Sequence, residues 1–207
     1  MRKILLTLVI VSLVAMPAFA AVQNIKVSGS IDSSYVSRTN FNLQTDSLLN
    51  DERNNANFFM TQTELKVEAD LTDNVSTTVA LINERAWGEP SDSGSEIDLN
   101  LAFVTLKEML YSPLTVVIGR QAFSYGNSFI FSTGAIGGED SGIPSIASDL
   151  SKQKGLDAIR AILDYNPLKL EMFYGKIDSN DTDSSITPNS KDDVDVAGIV
   201  GTYDFGD

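Results

Sequence analysis

Charged and amide side chains at alternate positions are the residues of this chain best placed for chemistry. Glu64 and Lys66 lie two residues apart, and so do Asp98 and Asn100, with neutral or apolar residues between them. Arg160 has the same relation to apolar neighbours on either side. Such rows line a hydrophilic surface, where they attract, repel or hydrogen-bond a solute. The pattern favours a solute-lining surface over a reaction centre.

The composition excludes most catalytic arrangements. The chain has no histidine and no cysteine, which removes Ser-His-Asp triads, Cys nucleophiles, histidine metal sites and disulfides. We therefore expect no enzymatic activity, no cofactor and no metal. The aspartate-rich stretches Asp178 to Asp183 and Lys191 to Asp195 lack EF-hand spacing. We interpret both as solvated loops, with calcium binding or a divalent-cation bridge to lipopolysaccharide as the alternative.

The first twenty residues have the pattern of a secretory signal peptide. Basic Arg2 and Lys3 precede the apolar stretch Ile4 to Met16, and Ala18-Phe19-Ala20 supplies an A-x-A cleavage site. The stretch is shorter than the roughly 20 residues of a spanning helix, which disfavours a retained anchor. The formal charge of −13 becomes more negative once residues 1–20 are removed. A mature chain of 21–207 so acidic is not expected to bind nucleic acid.

The elements that position the polar rows are predicted to be β-strands. From Phe59 to Leu71 alternate residues are polar, and Glu96 to Thr105 repeats the pattern with Ile97, Leu99, Leu101 and Phe103 on the apolar side. The other predicted strands are Ile25 to Ser37, Val75 to Arg85, Leu114 to Gln121, Leu156 to Tyr165, Leu168 to Ile177 and Val194 to Phe205. Their lengths match the roughly 9 to 11 residues of a tilted membrane strand, whereas soluble strands cluster near about 5 to 6.

The connections between these strands alternate between long and short, as in outer-membrane barrels with short periplasmic turns and long extracellular loops. We therefore predict an all-β fold, an antiparallel up-and-down transmembrane β-barrel in the bacterial outer membrane. Its expected partners are membrane lipid, lipopolysaccharide and the barrel-assembly machinery. A soluble periplasmic β-sandwich would also show alternation, but it accounts for neither the strand lengths nor the loop rhythm.

Two stretches resemble the alginate-export-type outer-membrane porins. They are Gly119-Arg120-Gln121 with Tyr125-Gly126-Asn127, and Gly155 to Ala161 running into Asp164-Tyr165-Asn166-Pro167. The resemblance covers residues 114–174. It implies a barrel of about eighteen strands whose lumenal arginines guide an anionic polysaccharide, and it makes Arg120 and Arg160 candidate solute-binding residues. Pairing of each arginine with a lumenal carboxylate is the alternative.

Arg120 has an unexpected position in its strand. Strict alternation places it on the same side as Leu114, Val116 and Ile118. An arginine that faces lipid at mid-membrane costs about 2 to 4 kcal/mol, falling to near zero at the interface. Either a bulge at Gly119 turns the side chain over, or Arg120 lies at the outer rim.

The stretch from Ala122 to Lys154 is too long for an ordinary loop. Its aromatic residues are predicted to fold into the lumen as a constriction, with an extracellular flap as the alternative: Phe123, Tyr125, Phe129 and Phe131. A filled eight-stranded barrel would have no room for them. The chain also ends at Gly206-Asp207, like the start of a turn, so we expect the N-terminal part of a larger barrel.

The predicted function is a channel for passive passage or export of a hydrophilic solute, with an anionic polysaccharide as one candidate. The polar faces are rich in carboxylates such as Glu64 and Asp98, and a lumen of that sign repels polyuronate unless other strands supply positive charge. A small closed eight-stranded barrel with a structural or adhesive role is the alternative.

Overall fold

The structure is a computed structural model that describes residues 24–39, 55–88, 97–109, 113–134, 143–178 and 194–206. The predicted signal peptide, residues 1–20, and most of the two aspartate-rich stretches lie outside the described residues.

Long strands of the chain form one antiparallel sheet. They are β1 Asn24–Thr39, β2 Asn55–Thr72, β3 Val75–Ala86, β4 Asp98–Leu106, β5 Leu114–Gln121, β8 Leu156–Asp164, β9 Leu168–Asp178 and β10 Val194–Tyr203. Their order in the sheet is β1-β2-β3-β4-β5-β8-β9-β10, so every long strand pairs with the next long strand along the chain. This confirms the all-β, antiparallel up-and-down prediction.

The predicted strand positions agree with the structure to within a few residues. β5 begins and ends where the alternation placed it, at Leu114 and Gln121. β2 extends to Asn55, beyond the predicted start at Phe59. The strands are rich in Val, Ile, Thr and aromatic residues, which pack well on a pleated surface. Period-two alternation therefore located the main sheet.

Two small elements lie between β5 and β8, where alternation predicted only a loop. Strands β6 Ser124–Tyr125 and β7 Phe131–Ser132 form a separate hairpin. Ser145–Leu150 then forms 3-10 turns that are interrupted at Ala147. Both are too short for a repeating pattern to appear in the sequence.

The main sheet has one polar and one apolar face. We call the side that carries Gln62, Glu64 and Lys66 the polar face, and the opposite side the apolar face; cross-strand partners share a face. Ile31 of β1 and Ile199 of β10 are each more than three-quarters exposed on the apolar face. Other exposed large side chains of this face are Val27, Phe59, Leu65, Val79, Leu81, Leu99, Ile118, Ile159, Met172 and Tyr174.

Strand β4 changes face partway along its length. The register shifts between Ala80 and Leu81 of β3, which leaves Asn100 as an extra residue in β4. Leu101 consequently pairs with the buried Ala80 on the polar face. The prediction that Leu101 and Phe103 share the apolar side with Leu99 is therefore wrong, because a bulge inverts the alternation beyond it.

The sheet begins at β1 and ends at β10. Within the described ranges these two strands are not hydrogen-bonded to each other. Each therefore has one edge whose backbone groups face no other described strand.

Cysteine pairs can test the register, since the chain contains no cysteine of its own. Ile31 lies opposite Thr63, and opposed Cα atoms are about 4.5 to 5.5 Å apart, within the range of a disulfide. We expect Ile31→Cys with Thr63→Cys to crosslink on oxidation, measured as a shifted band on a non-reducing gel. Ile31→Cys with Glu64→Cys, on opposite faces, is the control. A crosslink in the control pair alone would contradict the register.

Candidate functional site

Part of the connection between β5 and β8 lies across the polar face of the sheet. We call residues 143–155 the crossing segment. Its Ile143 and Ala147 are buried in one cluster with Val36 of β1 and Met60 of β2. Removal of this apolar surface from water anchors the start of the crossing segment to β1 and β2.

A buried carboxylate binds the middle of the crossing segment. Glu84 of β3 is only 2% exposed and accepts hydrogen bonds from Gln62 Nε2, Ser151 Oγ and the backbone N–H of Lys152, each at 2.6 Å. Gln62 Nε2 also donates to the carbonyl oxygen of Leu150 at 2.9 Å. A carboxylate removed from water is tolerated only when such donors replace the solvent. The position of the crossing segment and the burial of Glu84 therefore depend on each other.

The end of the crossing segment is bonded to β4, and through Asn100 to β2. Asn100, the extra residue of the β4 bulge, donates from Nδ2 to Glu64 Oε2 at 2.8 Å and accepts from the backbone N–H of Lys154 at 2.8 Å. Gln153 Nε2 donates to Asp98 Oδ2, also at 2.8 Å. Neutral amides therefore occupy oxygens of both carboxylates, and Asn100 links the sheet to the crossing segment.

Two ion pairs with β1 complete these contacts. Arg38 forms a bidentate pair with Asp149, at 2.6 and 2.9 Å. Lys152 Nζ lies 2.9 Å from Asp32 Oδ2. Hydrogen bonding by Arg38 lowers the pKa of the Asp149 carboxyl below its usual value. Both pairs are partly exposed, so each adds little stability, and their contribution falls with salt.

An aromatic cluster lies on the polar face at β8 and β9. The β6–β7 hairpin contributes Phe123, Tyr125 and Phe131, whose ring centroids lie 5.2 to 5.4 Å from that of Phe173 on β9. The Arg160 guanidinium of β8 lies 4.9 Å from the Phe123 ring centroid. These distances suit offset and edge-on ring packing and a cation–π contact. The hairpin is thus held against the sheet by rings and one cation.

A polar contact beneath the rings fixes the orientation of the hairpin. The Tyr125 hydroxyl donates to Glu171 Oε2 at 2.7 Å, and Lys169 Nζ lies 2.6 Å from Glu171 Oε1. Burial, reinforced by the hydrogen bond to Glu171, raises the pKa of Tyr125 above its ordinary value. The phenol therefore remains a protonated donor across the physiological range.

The structure divides the predicted solute-lining residues into separate groups. Those that meet at the crossing segment are Glu64, Asp98 and Asn100. Lys66 forms an ion pair with Glu68 at 3.0 Å and makes no bond to the crossing segment among the described residues. Arg160 belongs to the aromatic cluster.

Arg120 lies on the other side of the sheet from these residues. The register of β5 with β4 and with β8 runs without a shift, so Gly119 introduces no bulge. Arg120 therefore keeps the apolar face of Ile118, next to the end of β5, where it lies 3.6 Å from Asp157. Of the two alternatives, the bulge at Gly119 is wrong, and the position at the outer rim of a barrel stays a prediction.

The predicted constriction residues also separate. Phe123, Tyr125 and Phe131 pack on the polar face, but Phe129 at the tip of the hairpin is 95% exposed and outside the cluster. Asn127 and Ser128, just before it, have positive φ angles, which turn the chain sharply.

The sequence analysis did not predict the contacts that Glu84 makes with its partners. Glu84 and Gln62 follow the alternation of the polar face, so their side was readable, but their burial was not. Ser151 and Lys152 lie in a segment without periodicity and gave no signal. Only the folded connection shows that they bind Glu84.

The described part of the chain contains no group of three or more acidic side chains placed to hold a metal ion. Among the same residues, no helix is long and apolar enough to cross a membrane. Comparison with models of known protein families gives no match, and neither does comparison with curated proteins. The resemblance to alginate-export-type porins thus stays a prediction.

Gly155 gives a direct test of the crossing segment. A Cβ at this position would overlap the carbonyl oxygen of Asn100 and lie 2.6 Å from Arg120 Nε. We expect Gly155→Ala to lower the free energy of unfolding by about 1 to 3 kcal/mol, measured by urea denaturation, because backbone must move to make room. Gly201→Ala is the control, since its Cβ would only touch Leu170 at 3.5 Å. Equal midpoints for the two variants would contradict this packing.

The Arg38–Asp149 pair should make the crossing segment sensitive to acid. Because the pKa of folded Asp149 is lowered from its ordinary 3.8, the pair stabilises the folded state above that value, and the stabilisation is lost as pH falls through the lowered pKa. A fluorophore on Ser148→Cys should therefore gain mobility below about pH 3.8, measured by anisotropy. When Asp149→Asn is added, the fluorophore should be more mobile at neutral pH and its mobility should rise less in acid. The rise that remains is expected from the pair of Asp32 with Lys152. An unchanged acid response would contradict the assignment.

Proposed function

We propose that this chain forms the wall of an outer-membrane channel, in which the crossing segment narrows the path of a hydrophilic solute. One observation carries the proposal. The long-stranded sheet exposes an apolar face across its whole width, while its polar face is covered by the chain's own crossing segment and hairpin. A soluble sandwich turns its apolar face inward against a second sheet. In the described ranges, the only other sheet is the β6–β7 hairpin, whose rings lie on the polar side.

Aromatic residues at both ends of the apolar face support a membrane setting. Tyr35, Phe59 and Trp87 stack at the end from which the long connections leave, with ring centroids 5.0 and 5.1 Å apart. Trp87 Nε1 donates to Thr61 Oγ1 at 2.8 Å. Tyr203 lies at the opposite end, paired with Leu168. Outer-membrane barrels carry such aromatic girdles above and below an apolar band of about 25 Å.

The contents of the polar face support a wide barrel. An eight-stranded barrel has an interior just wide enough for side chains. Here the polar face carries two backbone segments, the hairpin with Phe123 and the crossing segment with Ala147, which is fully buried. In addition, β1 and β10 do not pair with each other in the described part of the chain. Both features favour a wall of more strands, such as the roughly eighteen that the family resemblance implies, over the closed small barrel.

The polar face is suited to passage and not to chemistry. Its described charges are engaged within the fold, either with one another, as in Lys66 with Glu68 and Lys169 with Glu171, or with neutral donors, as in Glu84 with Gln62. Such internally bonded rows bind a passing solute weakly, which conduction requires. We therefore propose that the solute is a hydrophilic molecule. An anionic polysaccharide remains the finer proposal, with Arg160 its main cationic contact on this face.

Conductance measurements test the channel and the crossing segment together. Purified full-length protein in planar bilayers should conduct, and Glu84→Ala should raise single-channel conductance and noise, because Gln62, Ser151 and the Lys152 N–H lose their shared acceptor. Glu68→Ala is the matched control, a carboxylate of the same face that makes no bond to the crossing segment in the described ranges.

Two outcomes would contradict the proposal. Folded wild-type protein that gives no conductance, or that leaves the cell with the soluble periplasmic fraction, would overturn the channel. Equal conductance of the Glu84→Ala and Glu68→Ala variants would overturn the role of the crossing segment.

A further inference from the structure

Four charged side chains of alternating sign form a row across neighbouring strands of the apolar face. The register places Arg120 of β5 beside Asp157 of β8, Asp157 beside Lys176 of β9, and Lys176 beside Asp195 of β10. We call these four residues the rim row. The four charges lie together at one end of a face whose large side chains are mostly apolar, and burying a charge in lipid is costly.

The rim row marks the limit of the apolar band. Two residues closer to the middle of each strand, the same face carries Ile118, Ile159, Tyr174 and Ala197. On the other side of the row, the strands end or begin within a few residues. This is also the end from which the long connections leave, which in outer-membrane barrels is the extracellular side.

The contacts within the row are loose. Arg120 and Asp157 are 3.6 Å apart, with side chains 38% and 67% exposed, and Lys176 and Asp195 are 3.5 Å apart with similar exposure. Among the described residues, Arg120 Nε is buried and has no hydrogen-bond partner, so a ligand could reach only the terminal nitrogens of this guanidinium. Exposed pairs of this kind add little stability. The ion pair of Arg120 with Asp157 is therefore a weak explanation for the charges of these two residues.

We propose that the rim row binds the phosphorylated sugar headgroup of lipid A in the outer leaflet, an inference that rests on the proposed membrane channel. Guanidinium and ammonium groups are strong donors to phosphate oxygens. Arg120 and Lys176 lie two strands apart, about 10 Å, so they contact separate phosphates. The intervening Asp157 and the neighbouring Asp195 accept hydrogen bonds from hydroxyl and amide groups of the sugar.

The position of Asp195 supports this division of roles. Its Oδ2 accepts a hydrogen bond from the Tyr174 hydroxyl at 2.9 Å, and its Oδ1 faces Lys176. The aromatic ring below and the charged groups above give the amphipathic boundary at which a lipid headgroup meets its acyl chains. The rim row is thus continuous with the apolar band, and two of its four side chains are cations that can contact the phosphates of a glycolipid.

Native mass spectrometry of the full-length protein in detergent tests the proposal, with lipid A or phosphatidylglycerol added in parallel. Wild-type protein should retain lipid A in preference to phosphatidylglycerol. Arg120→Gln combined with Lys176→Gln should reduce the retained lipid A about tenfold, because two charge-assisted contacts are lost. Arg120→Lys should keep most of it, and Lys26→Gln, a cation of the polar face, should have no effect.

Asp157→Asn separates lipid binding from simple ion pairing, because it breaks the same pair as Arg120→Gln. Lipid binding predicts that Asp157→Asn, which keeps an acceptor oxygen for the sugar and leaves both cations in place, loses much less lipid A than Arg120→Gln, whereas a purely structural pair predicts equal losses for both variants. Equal losses, or equal retention of phosphatidylglycerol, would overturn the inference while conductance stays intact. Wild-type protein that is soluble and retains no lipid would instead overturn the proposed function. Heat-modifiable gel mobility confirms that each variant is folded.

Discussion

The two-sidedness of long antiparallel strands is the constraint on which this structure depends. Successive side chains point to opposite faces, so a strand such as β2 cannot place Leu65 and Lys66 in the same environment. The apolar face therefore exposes large apolar side chains, and the polar face carries carboxylates and cations. The sheet is stable only if each face meets surroundings of its own polarity, which is the physical basis for the proposed wall between lipid and water.

The crossing segment supplies hydrogen-bond donors to the carboxylates of the polar face. A surface of carboxylates would otherwise be left to water, and here the chain supplies donors from a connection that has no regular strand. The largest contribution comes from Glu84, whose burial makes its partners indispensable. The partly exposed Arg38–Asp149 pair adds little energy, but its two hydrogen bonds fix the orientation of the two side chains. The middle of the segment is thus held by the buried carboxylate of Glu84, whereas the ion pair with Arg38 holds it less strongly.

Strict alternation predicts the face of a residue correctly in β5 but not throughout β4. Alternation placed Arg120 correctly on the same face as Ile118. Arg120 lies at the end of the apolar band, in a row with three further charged residues. Alternation failed in β4, since the bulge at Asn100 moved Leu101 to the polar face. A bulge is set by cross-strand partners, which a single strand read alone does not contain.

By itself, the amino-acid sequence determined the strands, their order as hairpins and the polarity of each face, because these follow from local alternation and turn chemistry. It also determined which side of the sheet Glu64, Asp98 and Arg160 occupy. Tertiary structure alone decided that residues 143–155 cross the polar face, that Glu84 is buried there, and that Arg160 joins an aromatic cluster. Those contacts join residues far apart along the chain, and no local pattern records which donor finds which acceptor.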